Sequence, residues 1–347
     1  MKLFTLIAVL ACALPLHPGR AQNPDSSASR QTPDSVRRYL VAALDTLQRV
    51  SLHRDSVNWT ALRDSVFART AGARTSEETW RTLQWALRRV DRHSFLQTPR
   101  PMPPLPGAAA PSPAATSRNN RPPAVTGRMV DGRVGYLLVP WFPGSPRASY
   151  VDSLQTLVRE FDTTGACGWI VDLRGNGGGN MWPMLAGIGP LLGDSIVGSF
   201  VVQGEPDAPW RYVNGHAWSG PATMPEWNAH GSLPPVTLRV QLAPVAVLTD
   251  SVTASSGEAT LIAFRGRPNM RSFGTPTAGF ASVNNGYQLS DSANMVITIG
   301  YERDRTGYQY PLTIQPDELV VRSKDDAADE VLLRASKWVR EQQACTR

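Results

Sequence analysis

The stretch GWIVDLRGNGGGN, residues 168–180, runs from an apolar segment into a loop with four glycines among five consecutive residues. The apolar segment beside the glycines predicts a buried strand that ends in a tight loop. Glycine loops after strands often bind phosphate. Here, however, Asn180 breaks the dinucleotide pattern GxGxxG, and no Gly-Lys-Ser/Thr of a P-loop follows. An ordinary turn built on Asn-Gly remains the alternative for this stretch taken alone.

A second strand-like segment further along the chain also leads into an unusual loop. The sequence VAVLTDSVTASSGEATLIAF, residues 245–264, predicts a strand, a short polar loop and then a helix. Ser255 stands at the start of this helix, where Ser255 and Glu258 have the spacing of a capping box. The functional alternative is a serine nucleophile, with the backbone N–H of Ser256 and the helix dipole facing a developing oxyanion. Glycine backbone around Gly178 would supply further N–H donors, because no side chain obstructs a bound carbonyl there.

The surrounding chain alternates between strand-like and helix-like segments, which predicts an α/β fold with helices packed over a sheet. The predicted strands are residues 134–139, 169–173, 244–249 and 295–299, and the predicted helices are residues 150–161, 181–192 and 255–264. Upstream, apolar residues at helical spacing predict three further helices: one over residues 35–50, one starting at Trp59, and one that opens with a Thr75–Glu78 capping box.

These patterns divide the chain into four parts. Residues 1–21 have the positive start, apolar run and small residues near the end that are typical of a secretory signal peptide, with cleavage after Ala21. Residues 22–98 form a predicted helical domain, residues 99–126 a linker rich in proline and alanine, and residues 127–347 the α/β core. The prediction is therefore a periplasmic or secreted protein, and a lipid anchor on Cys12 is the alternative.

Composition excludes several functional classes. With 41% hydrophobic residues the chain can build a real core. Its formal charge of +6 comes from basic residues scattered among acids, without the basic runs and aromatic interleaving of a nucleic-acid-binding face. No HExxH, CxxC or clustered His/Cys motif indicates a metal or cofactor, and no segment of the mature part is long and apolar enough for a membrane span. The sequence leaves open whether Cys167 and Cys345 pair, and it indicates no particular oligomeric state.

A serine nucleophile needs a base, and the chain offers few. Lysine occurs only at Lys2, Lys324 and Lys337. Four histidines follow the signal peptide, namely His53, His93, His216 and His230. His93 lies just past a helix end, where a structural role beside the helix carbonyls is the alternative to catalysis. His216, in a glycine-bounded loop, is the second candidate base, and the other two have polar surroundings typical of surface residues. A histidine base predicts loss of activity in acid near the ordinary pKa of about 6.5.

The motifs DRHSFL, DLRGNGGG, TASSGE, PTAGF and IQPDELV, in this order over residues 35–325, resemble those of the tail-specific or C-terminal processing proteases and the tricorn-core serine peptidases. The resemblance implies a crotonase-like or ClpP-like core with a helical N-terminal domain. It also implies a nucleophile at Ser255, a base at His93, and oxyanion donors in the backbone at Gly178 and Ser256. The Asp-x-His-Ser motif places the chain closer to the tricorn-like, Ser-His branch.

Some positions depart from the family patterns. Phe280 stands where the processing branch has its dyad lysine, which agrees with the scarcity of lysines. Arg92 replaces the serine that precedes the histidine in the tricorn branch, and its relay glutamate has no clear match. Glu302 and Asp304 are the candidates for orienting the histidine. No PDZ module is visible.

These observations predict an exported serine peptidase that cleaves extended peptides or the C-termini of proteins through an acyl-enzyme. Its partner would be a peptide or an unfolded protein. The alternative is a catalytically inactive member of the same superfamily that binds peptides or other ligands. An α/β-hydrolase esterase is disfavoured, because the residues around Ser255 do not form the G-x-S-x-G elbow.

Overall fold

The computed structural model describes residues 32–102, 123–144, 147–226, 228–311, 313–321 and 328–346. The helices are α1 (Asp34–Val50), α2 (Trp59–Arg69), α3 (Trp80–Val90), α4 (Arg147–Thr164), α5 (Met181–Leu192), α6 (Ser256–Phe264), α7 (Glu330–Arg340) and α8 (Gln343–Thr346). The strands are β1 (Phe95–Gln97), β2 (Thr126–Val130), β3 (Val134–Leu138), β4 (Gly168–Asp172), β5 (Ser195–Val202), β6 (Ala208–Val213), β7 (His216–Ser219), β8 (Val245–Thr249), β9 (Met270–Gly274), β10 (Ser282–Gln288), β11 (Asn294–Asp304), β12 (Gln309–Tyr310) and β13 (Glu318–Leu319). The fold is therefore mixed α and β, with three helices at its N-terminal end.

Strands β4 and β8, which precede the two unusual loops, are neighbours in a six-stranded sheet of order β13-β9-β8-β4-β3-β2. They pair in parallel, with Asp172 opposite Leu248 near their carboxyl ends. Because parallel strands end at the same edge of a sheet, the glycine loop and the Ser255 loop meet there. All five residues of each strand are buried, as is usual for parallel strands covered on both faces.

Helices cover both faces of this sheet. On one face, residues of α4, α5 and α6 pack with β3, β4 and β8 in the largest hydrophobic cluster. On the other face, Val331, Ala335 and Val339 of α7 pack against residues that include Ile170 and Phe273. A disulfide joins Cys167, next to β4, to Cys345 in α8. The question of their pairing, which the sequence left open, is thereby answered.

A second, seven-stranded sheet connects the N-terminal helices to the rest of the molecule. Its main order is β1-β11-β5-β6-β7, and β10 and β12 also pair with β11. Residues of α1, α2 and α3 share a hydrophobic cluster with Met295 and Ile297 of β11. Strand β1 pairs directly with β11, Phe95 lying opposite Val296. The N-terminal helices thus bury their apolar faces against this sheet.

Most segments predicted from periodicity are present, with small shifts in their ends. One local prediction is wrong, because the Thr75–Glu78 capping box does not start α3. A short 3₁₀ turn at Glu77–Thr79 precedes the helix, and the Glu78 carboxylate accepts a hydrogen bond from the backbone N–H of Arg74. No helix in the described part of the chain has the length and apolar character that crossing a membrane requires. The predicted signal peptide and most of the predicted linker lie outside the described residues.

Candidate active site

Ser255 has a strained backbone conformation at the start of α6. Its φ of 52° and ψ of −119° form a combination that residues other than glycine rarely adopt. The Glu258 carboxylate accepts the Ser255 backbone N–H at 2.8 Å, so the acidic half of the predicted capping box is present. The Ser255 hydroxyl oxygen also lies 3.1 Å from His93 Nε2.

The glycine loop is packed against the Ser255 loop. The N–H of Ala254 donates to the carbonyl of Asn176 at 2.9 Å, and the Ser256 hydroxyl donates to the carbonyl of Gly179 at 2.7 Å. A Cβ on Gly178 would lie 2.9 Å from Ser255 Cβ and 3.2 Å from Ser256 N. Glycine at position 178 is therefore needed for the close approach of the two loops.

A third segment approaches the same glycines from the other side. The N–H of Phe142 donates to the carbonyl of Gly178, and the N–H of Asn180 donates to the carbonyl of Phe142. A Cβ on Gly179 would lie 1.8 Å from the Phe142 carbonyl oxygen. Part of the glycine content is thus explained by backbone packing within the protein.

The side chain of Asn176 holds the glycine loop from inside. It is fully buried, its amide nitrogen donates to the carbonyl of Val139, and its Oδ1 accepts the N–H of Gly178 at 2.9 Å. The Gly178 N–H therefore has an acceptor within the protein. Ser256 is the first residue of α6, and N–H groups at that position have no acceptor within their own helix.

His93 is held by contacts on both sides of its ring. Nε2 faces Ser255, and Nδ1 lies 2.8 Å from the hydroxyl oxygen of Ser282, the first residue of β10. The ring also lies 5.1 Å, centre to centre, from that of Phe280. For Nε2 to accept a proton from Ser255, Nδ1 carries the hydrogen and donates it to Ser282.

Burial sets the protonation state of this histidine. It lowers the pKa of His93 to about 4, because the charged imidazolium is poorly solvated there, and the negative charge of Asp91 opposes the shift only in part. Asp91 accepts the backbone N–H of His93, and its carboxylate lies 3.1 Å from His53 Nε2. At neutral pH His93 is therefore neutral, as a general base must be.

The segment that carries His93 is anchored to the antiparallel sheet. Thr298 of β11 donates its backbone N–H to the Ser94 hydroxyl and its own hydroxyl to the Asp91 carboxylate. The Asn284 amide of β10 donates to the carbonyl of His93. His93 therefore reaches Ser255 from the second sheet.

The remaining candidates for the base have other partners. His216 Nδ1 lies 2.7 Å from Asn228 Oδ1, and its ring is 4.9 Å from that of His230. Lys337 is on the exposed side of α7 beside Glu341. Lys324 lies outside the described residues.

The carboxylates suggested for orienting His93 also have other surroundings. Asp304 accepts hydrogen bonds from Thr306 and Tyr308 in the turn after β11 and from the hydroxyl of Tyr310 in β12. Glu302 lines a cavity of about 300 Å³ together with Ser255, Ser256 and Ser282. The partner of His93 Nδ1 is thus Ser282, which sequence reasoning missed because a serine two residues after the PTAGF motif carries no distinguishing signal.

The comparisons with known proteins agree with this architecture. The chain belongs to peptidase family S41, whose family model matches residues 133–320. The nisin-resistance protein of Lactococcus lactis subsp. lactis is 29% identical over 303 residues, which cover 86% of this chain and 87% of that protein.

Two solved structures share the fold. A lipoprotein from Streptococcus agalactiae matches with a TM-score of 0.66 at 23% identity, over 89% of this chain and 97% of that chain. The photosystem II D1 C-terminal processing protease matches with a TM-score of 0.55 at 14% identity, over 90% and 98% of the two chains. The resemblance to the processing and tricorn-like proteases is thereby confirmed at the level of the family.

Proposed function

We propose that the protein is an exported serine peptidase that cleaves extended peptides or protein C-termini through an acyl-enzyme. The observation that carries the proposal is the 3.1 Å separation of Ser255 Oγ and His93 Nε2. This separation lies within hydrogen-bond reach, as a nucleophile and its general base require. The strained backbone of Ser255 supports the proposal, because such strain is concentrated at functional sites.

In the proposed reaction Ser255 Oγ attacks the scissile carbonyl while its proton passes to His93 Nε2. Ser282 accepts the Nδ1 hydrogen and keeps the imidazole in the required tautomer. His93 then gives the proton to the leaving amine, and the same imidazole activates the water that hydrolyses the acyl-enzyme.

The proposed oxyanion donors are the N–H of Ser256 and the glycine backbone at Gly178. The Ser256 N–H lies at the N-terminus of α6, where the helix dipole also favours negative charge. The Gly178 N–H would have to exchange its bond to Asn176 Oδ1 for one to the oxyanion. The proposed chemistry uses side chains and backbone alone and requires no cofactor.

The proposed core is of the crotonase or ClpP type, and the proposed location is the periplasm or the exterior of the cell. The predicted signal peptide supports export, although it lies outside the described residues. The Cys167–Cys345 disulfide supports it too, because such bonds persist in oxidising compartments.

Labelling with a fluorophosphonate, followed by mass spectrometry of the modified peptide, tests the proposal. We expect modification of Ser255 in the parent, none in Ser255→Ala, and at least about 100-fold slower modification in His93→Ala. Modification at another residue would contradict the assignment of the nucleophile. An unlabelled parent that still binds peptides would support the catalytically inactive alternative.

A further inference from the structure

Glu302 is a buried acid that the proposed reaction does not use. It lies in β11 opposite Phe200 of β5 and is only 3% exposed. It lines the cavity that also contains Ser255. Its Oε2 is buried and has no hydrogen-bond partner among the described residues. The Glu302 carboxyl therefore has hydrogen-bonding capacity that the described residues leave unused, at the wall of the cavity that contains Ser255.

Burial and a second acid, Glu258, together shift the pKa of Glu302. The Glu258 carboxylate accepts the N–H groups of Ser255, Gly279 and Phe280 and the hydroxyl of Thr277. Burial raises the pKa of Glu258, and these four donors oppose that rise by stabilising the carboxylate form. Burial, and secondly the charge of Glu258, raise the pKa of Glu302 well above its usual range, which favours the neutral form of this acid in the free protein.

The cavity has a mixed lining. Its apolar wall consists of Met181, Trp182, Phe200 and Val283, and the ring planes of Trp182 and Phe200 are nearly perpendicular. Its polar side includes Asn180 and Asn284. The described lining contains no arginine, lysine or histidine, so Glu302 has no cationic partner there.

Substrate side chains that could enter this cavity differ in whether they give the Glu302 carboxyl a partner. An acidic side chain would add a charge close to Glu258 and Glu302, and an aliphatic one would leave the Glu302 carboxyl without a partner. A cationic side chain would form a charge-assisted pair with the Glu302 carboxylate, and its aliphatic stem would pack on the apolar wall. The aromatic rings would also favour a cation in this position.

We propose that Glu302 is the specificity-determining residue of this site and selects substrates that place a lysine or arginine side chain next to the scissile bond. This inference rests on the proposed peptidase function and adds the class of substrate to it. On binding, the Glu302 carboxyl releases its proton to solvent, and the resulting carboxylate pairs with the ammonium or guanidinium group of the substrate.

Peptide sets that differ only beside the scissile bond test the proposal. Each set carries lysine, norleucine or glutamate at one of the two positions that flank the bond. We expect the parent to prefer lysine at one position, and Glu302→Gln to lower the ratio of kcat/KM for lysine over norleucine by about tenfold or more. Glu205→Gln, which removes an exposed acid from the turn after β5, is the matched control and should leave this ratio unchanged.

Two outcomes of the peptide assay would overturn the inference. One is a parent that has no preference for lysine at either position. The other is a Glu302→Gln variant whose rates fall equally for all peptides, which would mean that Glu302 supports His93 or the fold.

A binding measurement separates this inference from the peptidase proposal. Titration calorimetry of Ser255→Ala with the lysine peptide, in two buffers of different ionisation heat, should show release of about one proton per peptide bound. The Ser255→Ala/Glu302→Gln variant should bind this peptide at least about tenfold more weakly and release no proton. If both hold while the parent cleaves nothing, the peptidase proposal fails, and what stands is the recognition of a basic side chain by Glu302. If Ser255 cleaves peptides and the rates do not depend on Glu302, the peptidase proposal stands and the inference about Glu302 fails.

Discussion

The two halves of the candidate site are held in different ways. Ser255 is positioned by its backbone, within loops at the edge of the parallel sheet that hydrogen-bond to one another and to Glu258. His93 is held instead by side chains of its surroundings. Its half-buried ring lies between Ser255 and Ser282, and the side chains of Asp91 and Asn284 bond its backbone. The family match over residues 133–320 includes Ser255 but not His93. The proposed nucleophile thus belongs to the matched core, and the proposed base comes from the N-terminal region that packs on the second sheet.

This difference indicates how each half can fail. A change in the Ser255 half must either remove the hydroxyl or displace a rigid backbone. A change in the His93 half can alter the tautomer, orientation or charge of the ring while the fold remains intact. The predictions below therefore test the two halves separately, and they are ordered from the largest expected effect to the smallest.

Removing either reacting group should have the largest effect. We expect Ser255→Ala and His93→Ala each to lower kcat on the order of 10⁴-fold or more, and the double variant to be little worse than either, because the two groups act as a unit. Single-turnover assays on folded variants measure this, with the exposed Lys337→Ala as a parent-like control. Near-parent rates in His93→Ala would show that the base is a different residue, and His216 would be the next to test.

Adding a side chain where the glycine loop touches the Ser255 loop should have the next largest effect. Gly178 has a φ of +105°, and an added Cβ would meet Ser255. We expect Gly178→Val to lower kcat on the order of 10²-fold, comparable to the loss of one oxyanion donor. Gly177→Ala is the matched control in the same loop, because its Cβ would have open space and its φ is not in the left-handed region. Unchanged turnover in a folded Gly178→Val variant would mean that the loop only makes a turn.

A smaller effect is expected from the positioning residue in the His93 half. Ser282→Ala removes the acceptor for the Nδ1 hydrogen, so we expect kcat to fall about tenfold while KM stays nearly constant, a modest part of what acid–base catalysis contributes. Ser282→Thr keeps a hydroxyl and should restore most of the rate. A change in KM alone, or no recovery with threonine, would indicate that Ser282 serves substrate binding or packing.

The smallest expected effect is the loss of activity at acidic pH. Because burial lowers the pKa of His93 to about 4, the neutral base persists to lower pH than the ordinary histidine value of about 6.5 would allow. At pH 5, about 90% of the protein should have neutral His93, compared with about 3% for an unshifted group. A pH profile of kcat/KM measures this, and an acid limb near 6.5 would show that His93 is not buried as described.

The lowered pKa of His93 also makes the free energy of unfolding depend on pH, in a direction that follows from the sign of the shift. Between pH 4 and 6.5 the unfolded chain protonates His93 while the native state does not, so the free energy of unfolding falls as the pH is lowered through this window. Denaturant titrations at several pH values would show a smaller slope in His93→Ala. The same titrations give the pH range in which the protein is folded, and the pH profile of activity is interpreted within that range.

Local sequence patterns were sufficient for many of the elements and for the position of Ser255 between a strand and a helix. Apolar patterns and flanking glycines are local signals. They predicted the strand before the glycine loop, the strand before Ser255 and helix α5. The antiparallel meander of β5, β6 and β7 and helix α7 were not predicted. Strands β5, β6 and β7 alternate too weakly between buried and exposed residues to stand out from loops.

The base half of the site illustrates what local patterns leave open. The resemblance to known motifs indicated His93, but nothing in the sequence identified Ser282 as its partner or indicated that the pKa would fall. Both depend on β1 and β10 pairing with β11, which are contacts between residues distant in the chain. The expected carboxylate was replaced by a hydroxyl that only the register of β10 brings to the ring.

By itself, the sequence determined the mixed helix and strand composition, the strand-loop-helix placement of Ser255 and the glycines of the neighbouring loop. These features follow from periodicity and from the conformational freedom of glycine, which act over a few residues. The tertiary structure decided that His93 reaches Ser255, that Ser282 holds its other nitrogen, and that Glu302 lines the same cavity. The physical reason is that hydrogen-bond geometry and desolvation depend on which distant strands pair and on what they bury together.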